Sequence, residues 1–144
     1  MRIEGQFVFD GIAPDMVWGF LTDANRIPEC LPGCDKLIKT GDDTYDMQMK
    51  FGIGAISGVF AGGIRLHNLQ PTSSYEMTVN GSGAPGFVKG EGKVQLTAHD
   101  GGTLLQYSGN VSAGGAIASL GQRMVGGAAR MVIDQFFKCV SGKL

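Results

Sequence analysis

The sequence predicts an α+β domain in which a seven-stranded, curved antiparallel sheet surrounds one long C-terminal helix, with two short helices after the first strand. Two observations support this prediction. From residue 35 to residue 111, apolar and polar residues alternate in short runs, as in antiparallel strands with one face in water. From about residue 116 onward, apolar residues recur every three or four positions, as in an amphipathic helix. The 144 residues fit one domain, residues 1–144, with a core of its own.

The first strand is expected at about residues 2–10, where Ile3, Gly5, Phe7 and Phe9 occupy alternate positions. Pro14 begins a first short helix, because proline suits the first helical turn. Its apolar stripe is Val17, Trp18 and Leu21, and we expect Trp18 to pack this helix against the sheet margin. A second short helix is expected to begin at Asp23 as N-cap and to end before Pro28 and Pro32.

The alternation places one apolar set on the inner face of the sheet. Its members in the five later strands are Tyr45, Met47, Met49 and Phe51, then Phe60, Gly62, Ile64 and Leu66, then Tyr75, Met77, Val79 and Gly81, then Val88, Gly90, Gly92, Val94 and Leu96, then Leu105, Tyr107, Gly109 and Val111. The long helix, expected at about residues 116–140, covers this face with a stripe of Ile117, Leu120, Met124, Ala128, Met131 and Cys139. Gln135 is the polar residue of that stripe, and it either satisfies a buried backbone group or binds a ligand's polar end.

The turns alternate between polar and apolar along the chain. The polar turns are residues 41–43, 70–73 and 99–102, and the apolar ones are residues 51–56, 81–87 and 113–117. Successive turns of an up-and-down sheet lie at opposite ends, so the apolar turns share one end, together with the turn at residues 31–34. We expect this apolar end to expose Phe51, Ile53, Ile56, Pro85, Phe87 and Ile117.

Six glycines occupy inward positions where a packed core would have valine or isoleucine. They are Gly5, Gly62, Gly81, Gly90, Gly92 and Gly109. One interpretation is that strongly curved strands need glycine and that the helix packs closely on them. The other is that the missing side chains leave an apolar pocket, shaped by Met47, Met49, Met77, Met124 and Met131.

Composition excludes several classes of function. Twelve basic and thirteen acidic residues give no positive field for nucleic acid. Three cysteines without a Cys-x-x-Cys pair indicate reduced thiols and no metal site, so the expected location is the cytoplasm. His67 and His99 have no nucleophile or metal partner at a telling spacing, and we predict no catalytic residue and no cofactor.

Several short segments are similar to the CoxG family of carbon monoxide dehydrogenase proteins. These are Leu31-Pro32-Gly33-Cys34, the Val17-Trp18 pair followed by Leu21 and Asp23, and the late run from Gly114-Gly115 through Leu120-Gly121 to Gln135-Phe136-Phe137. That family belongs to the helix-grip superfamily of START, polyketide-cyclase and Bet v 1-like proteins, also called SRPBCC proteins. The resemblance implies an accessory of molybdenum hydroxylases that handles hydrophobic molecules such as quinones and assists attachment to the inner face of the cytoplasmic membrane.

The expected function is therefore non-enzymatic binding of a hydrophobic small molecule, a quinone or a lipid, between sheet and helix. The alternatives are a pure protein–protein adaptor without ligand and a cyclase- or hydratase-type enzyme. The residues expected to line the site are Met47, Met49, Phe51, Phe60, Gly62, Ile64, Tyr75, Met77, Val79, Gly90, Gly92, Tyr107, Leu120, Met124, Ala128 and Gln135. The expected portal or docking loops carry Pro32, Ile53, Ile56, Pro85, Phe87 and Ile117.

Overall fold

The computed structural model of the protein describes the backbone of residues 1–53 and 56–144, and the side chains of residues 1–50 and 57–144. The strands are β1 (Arg2–Phe9), β2 (Cys34–Gly41), β3 (Thr44–Ile53), β4 (Ile56–Gln70), β5 (Ser74–Gly83), β6 (Gly86–His99) and β7 (Gly102–Gly115). The α-helices are α1 (Pro14–Leu21) and α2 (Gln122–Lys143), and two 3-10 helices span Ile27–Glu29 and Ala116–Leu120.

The seven strands form one antiparallel sheet in the order β1-β7-β6-β5-β4-β3-β2. Strands β2 to β7 follow one another as a meander, and β1 pairs with β7 at the far edge. The register brings the predicted inward residues opposite one another. Met47 faces Gly62, Gly62 faces Gly81, and Gly81 faces Val88. The predicted fold class and the alternation of faces are therefore confirmed.

The segment between α1 and β2 differs from its prediction. Asp23 does not cap a second α-helix. Its carboxylate accepts a hydrogen bond from the backbone N–H of Asn25 at 2.9 Å, and its carbonyl closes a turn with Arg26 and Ile27. Only a short 3-10 helix, Ile27–Glu29, follows, with Pro28 inside it. The Asx turn competes with the helix because the short side chain of aspartate can satisfy the local backbone itself.

The C-terminal helix is broken where the sequence pattern is continuous. Gly121, at φ +84° and ψ +156°, separates the second 3-10 helix from α2. The break resets the helix phase, so the inward stripe of α2 contains Val125, Phe137 and Val140 rather than the predicted residues. Met124 and Met131 are 50% and 58% exposed, and Gln135 is also exposed, so the inward placement predicted for them is wrong.

Most buried side chains belong to one large cluster between the C-terminal half of α2, helix α1 and the ends of β6 and β7 that carry Leu96 and Leu105. Phe137 contacts Phe7 at a centroid distance of 5.8 Å, and the Phe20 ring of α1 is fully buried. Trp18 is half-buried and meets Tyr75 of β5 edge to face at 5.6 Å, as expected for a helix packed on the sheet margin. None of the helices within the described residues is long and apolar enough to cross a membrane.

The cysteines also differ from their prediction. Cys30 and Cys139, 109 residues apart, form a disulfide, and Cys34 alone is a free thiol. The bond joins the end of the first 3-10 helix to α2. Sequence spacing could not show it, because the two residues meet only when α2 lies across the domain.

Candidate ligand-binding site

A second, smaller apolar cluster lies at the other end of α2. It contains Phe60, Ile117 and Val125 as buried residues, with Met1 and Leu120 packed against them. Among the described side chains, Met47, Val79 and the glycines Gly81 and Gly90 belong to neither cluster. We call this part of the inner face the middle gap.

The inward glycines do not all leave space. A Cβ on Gly62 would overlap the Asn80 carbonyl oxygen, and one on Gly109 would overlap the Glu91 carbonyl oxygen. A Cβ on Gly5 would stand 2.5 Å from the Tyr107 hydroxyl, and one on Gly92 would stand 2.9 Å from the Ser108 carbonyl oxygen. At these four positions glycine permits sheet curvature or close packing, and the pocket interpretation is wrong.

Gly81 and Gly90 are different. A Cβ on Gly81 would meet nothing nearer than 3.9 Å, and one on Gly90 would meet nothing nearer than 3.6 Å. An open cavity of about 570 Å³ lies along β5, β6 and β7 at this place. Val79, Val88 and Val111 line it with both glycines, together with Met1 and outward-facing residues such as Lys89. No described residue of α2 lines this cavity.

Helix α2 presents a distinct side toward the β2 edge. Met124, Ala128, Met131, Gln135 and Cys139 follow one another at steps of four, three, four and four residues, and we call them the open flank. The opposite side of α2 faces β1, because Phe137 packs on Phe7 and a Cβ on Gly126 would contact the Met1 sulfur. The open flank therefore lies beside the gap between α2 and strands β2 and β3.

The predicted lining residues fall into four groups. Ile64, Tyr75, Met77 and Tyr107 pack in the large cluster, and Phe60 and Leu120 in the small one. Met47, Val79, Gly62, Gly90 and Gly92 lie on the inner face near the middle gap, with Met49 half-buried at its edge. Met124, Ala128 and Gln135 are on the open flank. Phe51 lies outside the described side chains.

The predicted portal is only partly exposed. Phe87 is 41% exposed, whereas Ile117 is buried and Pro85 is buried beneath it, its carbonyl accepting a hydrogen bond from the Ile117 N–H. The exposure expected for these two residues is wrong, because the chain folds back over the small cluster after β7. Pro32 is half-buried, and Ile53 and Ile56 lie outside the described side chains. The 31–34 turn does reach this end, since the backbone N–H of Lys50 in β3 donates to the Gly33 carbonyl.

A separate cavity of about 460 Å³ lies between residues 22–25 and β2. Tyr45 lines it, and burial raises the pKa of its hydroxyl, with a further rise from the carboxylates of Asp43 and Asp23. Burial likewise raises the pKa of the Cys34 thiol. His67 lies on the outer face, where its Nε2 is 3.0 Å from the Thr78 hydroxyl, as its strand position predicts. No group of three metal-ligating side chains occurs within the described part of the chain.

The sequence model of the carbon monoxide dehydrogenase CoxG family matches residues 7–144. The chain belongs to this family. A conserved protein from Geobacillus kaustophilus, solved by crystallography, is similar to the chain at 34% identity and a TM-score of 0.94, over 99% of this chain and 94% of that one. No curated protein matches the sequence.

Two more distant structures show the same fold as this CoxG-family chain. Ara h 8.0201 is 14% identical with a TM-score of 0.73, over 99% of this chain and 96% of that one. The di-domain ARO/CYC StfQ from the steffimycin biosynthetic pathway is 14% identical with a TM-score of 0.68, over 98% of this chain and 50% of that one. These similarities confirm the helix-grip fold that the sequence predicts.

Proposed function

We propose that this chain is a non-enzymatic accessory protein of a carbon monoxide dehydrogenase-type molybdenum hydroxylase, and that it holds a hydrophobic small molecule of the quinone or lipid class between α2 and the sheet. One observation supports the ligand most directly. The apolar interior is divided into two clusters, and the middle gap between them has room at Gly81 and Gly90.

The chemistry of the gap favours an apolar ligand. Met47 and Val79 offer only apolar atoms, and the open flank adds the thioethers of Met124 and Met131. Thioether side chains adapt to ligands of different shape because they are unbranched and polarizable. Each 100 Å² of apolar ligand surface removed from water contributes about 2.5 kcal/mol, so a ring with one isoprenoid unit gains several kcal/mol here.

The same lining argues against the cyclase alternative. Proton transfer requires a titratable side chain within reach of the reacting atom, and Met47, Val79, Gly81 and Gly90 supply none. Handing a hydrophobic molecule to a dehydrogenase subunit or to the inner face of the cytoplasmic membrane needs only a gap that opens. We therefore assign the molybdenum hydroxylase as the protein partner and the cytoplasm, next to the membrane, as the location.

The test is extraction of the purified protein with organic solvent, followed by mass spectrometry, and then displacement of a fluorescent apolar probe by the extracted molecule. Gly90→Val fills the gap without a backbone clash, so it should weaken probe binding about tenfold, which equals about 1.4 kcal/mol. The matched control is Gly127→Val, because that added side chain points into open space on α2 and should leave binding unchanged.

The adaptor alternative predicts different results. A protein with a packed interior would yield no apolar molecule on extraction and would bind the probe equally well with valine or glycine at position 90. Retained binding of the dehydrogenase subunits in that case would establish the adaptor and reject the ligand. Loss of folding in Gly90→Val, seen by circular dichroism, would contradict the room that the structure shows beside this glycine.

A further inference from the structure

The disulfide is placed where it controls one side of α2. Cys30 is buried in the large cluster, and Cys139 is half-buried at the C-terminal end of the open flank. Their Cα atoms are 5.4 Å apart. The bond thus ties the open flank to the segment that leads from the first 3-10 helix into edge strand β2.

The two sides of α2 are held very unequally. Toward β1, Phe137 packs on the rings of Phe7 and Phe9, and Val140 is fully buried. Toward β2, Met131 and Met124 are more than half or half exposed, and the covalent bond at Cys139 is the tie that ends this flank. Breaking that bond leaves α2 anchored on its β1 side, about which it can tilt.

We propose that the Cys30–Cys139 disulfide is a redox latch on the ligand gap. In the oxidised form the bond holds the open flank against the β2 side and slows exchange of a bound molecule. In the reduced form α2 tilts about the anchor made by Phe137 and Val140, and the gap beside Met47 widens. This inference rests on the proposed function, because it assigns the regulation of the same site.

The reductant is a dithiol, and the exchange is fully balanced. One thiolate of the dithiol attacks the Cys139 sulfur, which is the more exposed of the two, and the Cys30 thiolate leaves and takes up a proton. The second thiolate of the dithiol attacks its own mixed disulfide and releases Cys139 as a thiol. The protein disulfide gains two electrons and two protons, and the dithiol becomes a disulfide. In a reducing compartment a bond of this kind responds to the redox state.

The first experiment measures the movement without any ligand. Hydrogen–deuterium exchange of the oxidised protein is compared with exchange after treatment with dithiothreitol, and peptides from α2 and from β6 are followed by mass spectrometry. We expect exchange in residues 124–139 to become about tenfold faster on reduction while β6 peptides stay unchanged. Cys34→Ser is the matched control, since it removes a cysteine and keeps the latch, and it should respond to dithiothreitol as the natural sequence does.

A second variant removes the bond without a reductant. Cys139→Ser should show the faster α2 exchange under all conditions and should release a bound fluorescent apolar probe faster than the oxidised protein. Equal α2 exchange in oxidised and reduced protein overturns the latch. Faster exchange throughout the domain also overturns it, because the bond is then a general stabiliser. Faster α2 exchange with unchanged probe release overturns the gating role, whereas no probe binding in either state counts against the proposed function and leaves the exchange result valid.

Discussion

Gly62 and Gly81 face each other across the β4–β5 pair, yet only Gly81 has room for a side chain. A Cβ on Gly62 would overlap the Asn80 backbone, because β4 bends tightly over β5 at this point. A Cβ on Gly81 would come no nearer than 3.9 Å to the Phe60 side chain. Two glycines at the same level of the sheet therefore serve different purposes, one permitting curvature and one leaving space.

The pair yields a prediction about stability. Gly62→Ala should lower the free energy of unfolding by about 1–3 kcal/mol, because the backbone must shift to admit the methyl group. Gly81→Ala should be neutral or should stabilise the domain by about 0.4–1 kcal/mol, since alanine restricts the unfolded chain. Urea unfolding followed by circular dichroism measures both. Equal losses in the two variants would contradict the difference in space.

Gly121 provides a second prediction. Its backbone lies at φ +84° and ψ +156°, a region that glycine adopts almost alone. Nothing lies within 4 Å of an added Cβ, so strain is the whole effect of a substitution. Gly121→Ala should destabilise the domain by about 1–3 kcal/mol. Gly127→Ala, in the exposed interior of α2, should instead stabilise it by about 0.5–1 kcal/mol, and a thermal melt of each variant separates the two directions.

The sheet could be predicted almost entirely from the sequence. Period-two alternation determines which residues face inward, and Tyr45, Leu66 and Val94 are buried as it requires. The helix phase could not be predicted, because the apolar pattern continues through Gly121 although the backbone does not. The pattern assigns Met124 and Met131 to the inner stripe for this reason, and the structure places them on the open flank.

The site is less predictable, for two physical reasons. Inward glycines look alike in a sequence, whether the neighbouring backbone is close, as at Gly109, or distant, as at Gly90. The disulfide depends on where α2 ends relative to the first 3-10 helix, and that position follows from tertiary packing of Phe137 and Val140. Pairings of residues 109 positions apart have no local signature.

Tyr75 makes stability sensitive to alkaline pH. Burial raises the pKa of its hydroxyl well above the ordinary value of 10, so the native side chain stays neutral where the unfolded chain ionises. Up to about pH 10 the two states bind the same proton and this group has no effect. Above it the free energy of unfolding should fall by about 1.4 kcal/mol per pH unit.

The measurement is urea unfolding of the natural sequence and of Tyr75→Phe at several pH values between about 8 and 11.5. The phenylalanine variant should lose the part of the slope that comes from Tyr75. Tyr45→Phe is the matched control. Burial also raises the pKa of Tyr45, so it should remove a smaller part of the slope. A slope identical in the natural sequence and in Tyr75→Phe would contradict the assignment.

Phe87 and Ile117 separate docking from packing at the apolar end. Phe87 is 41% exposed beside Gly114, whereas Ile117 is 2% exposed in the small cluster. Phe87→Ser should therefore weaken binding to neutral phosphatidylcholine vesicles or to the dehydrogenase subunits with little change in melting temperature, because a partly exposed ring contributes little to the core. Ile117→Ala should cost about 2–5 kcal/mol of stability through the cavity it leaves.

Vesicle sedimentation and thermal unfolding of the two variants, side by side, test this division. The chain carries a net charge of −1, so vesicle binding through Phe87 should change little between low and high salt. A large loss of stability in Phe87→Ser with unchanged binding would show that this ring covers the gap and has no part in docking. Strong salt dependence would instead assign the contact to Lys89, whose ammonium lies 5.6 Å from the Phe87 ring centre.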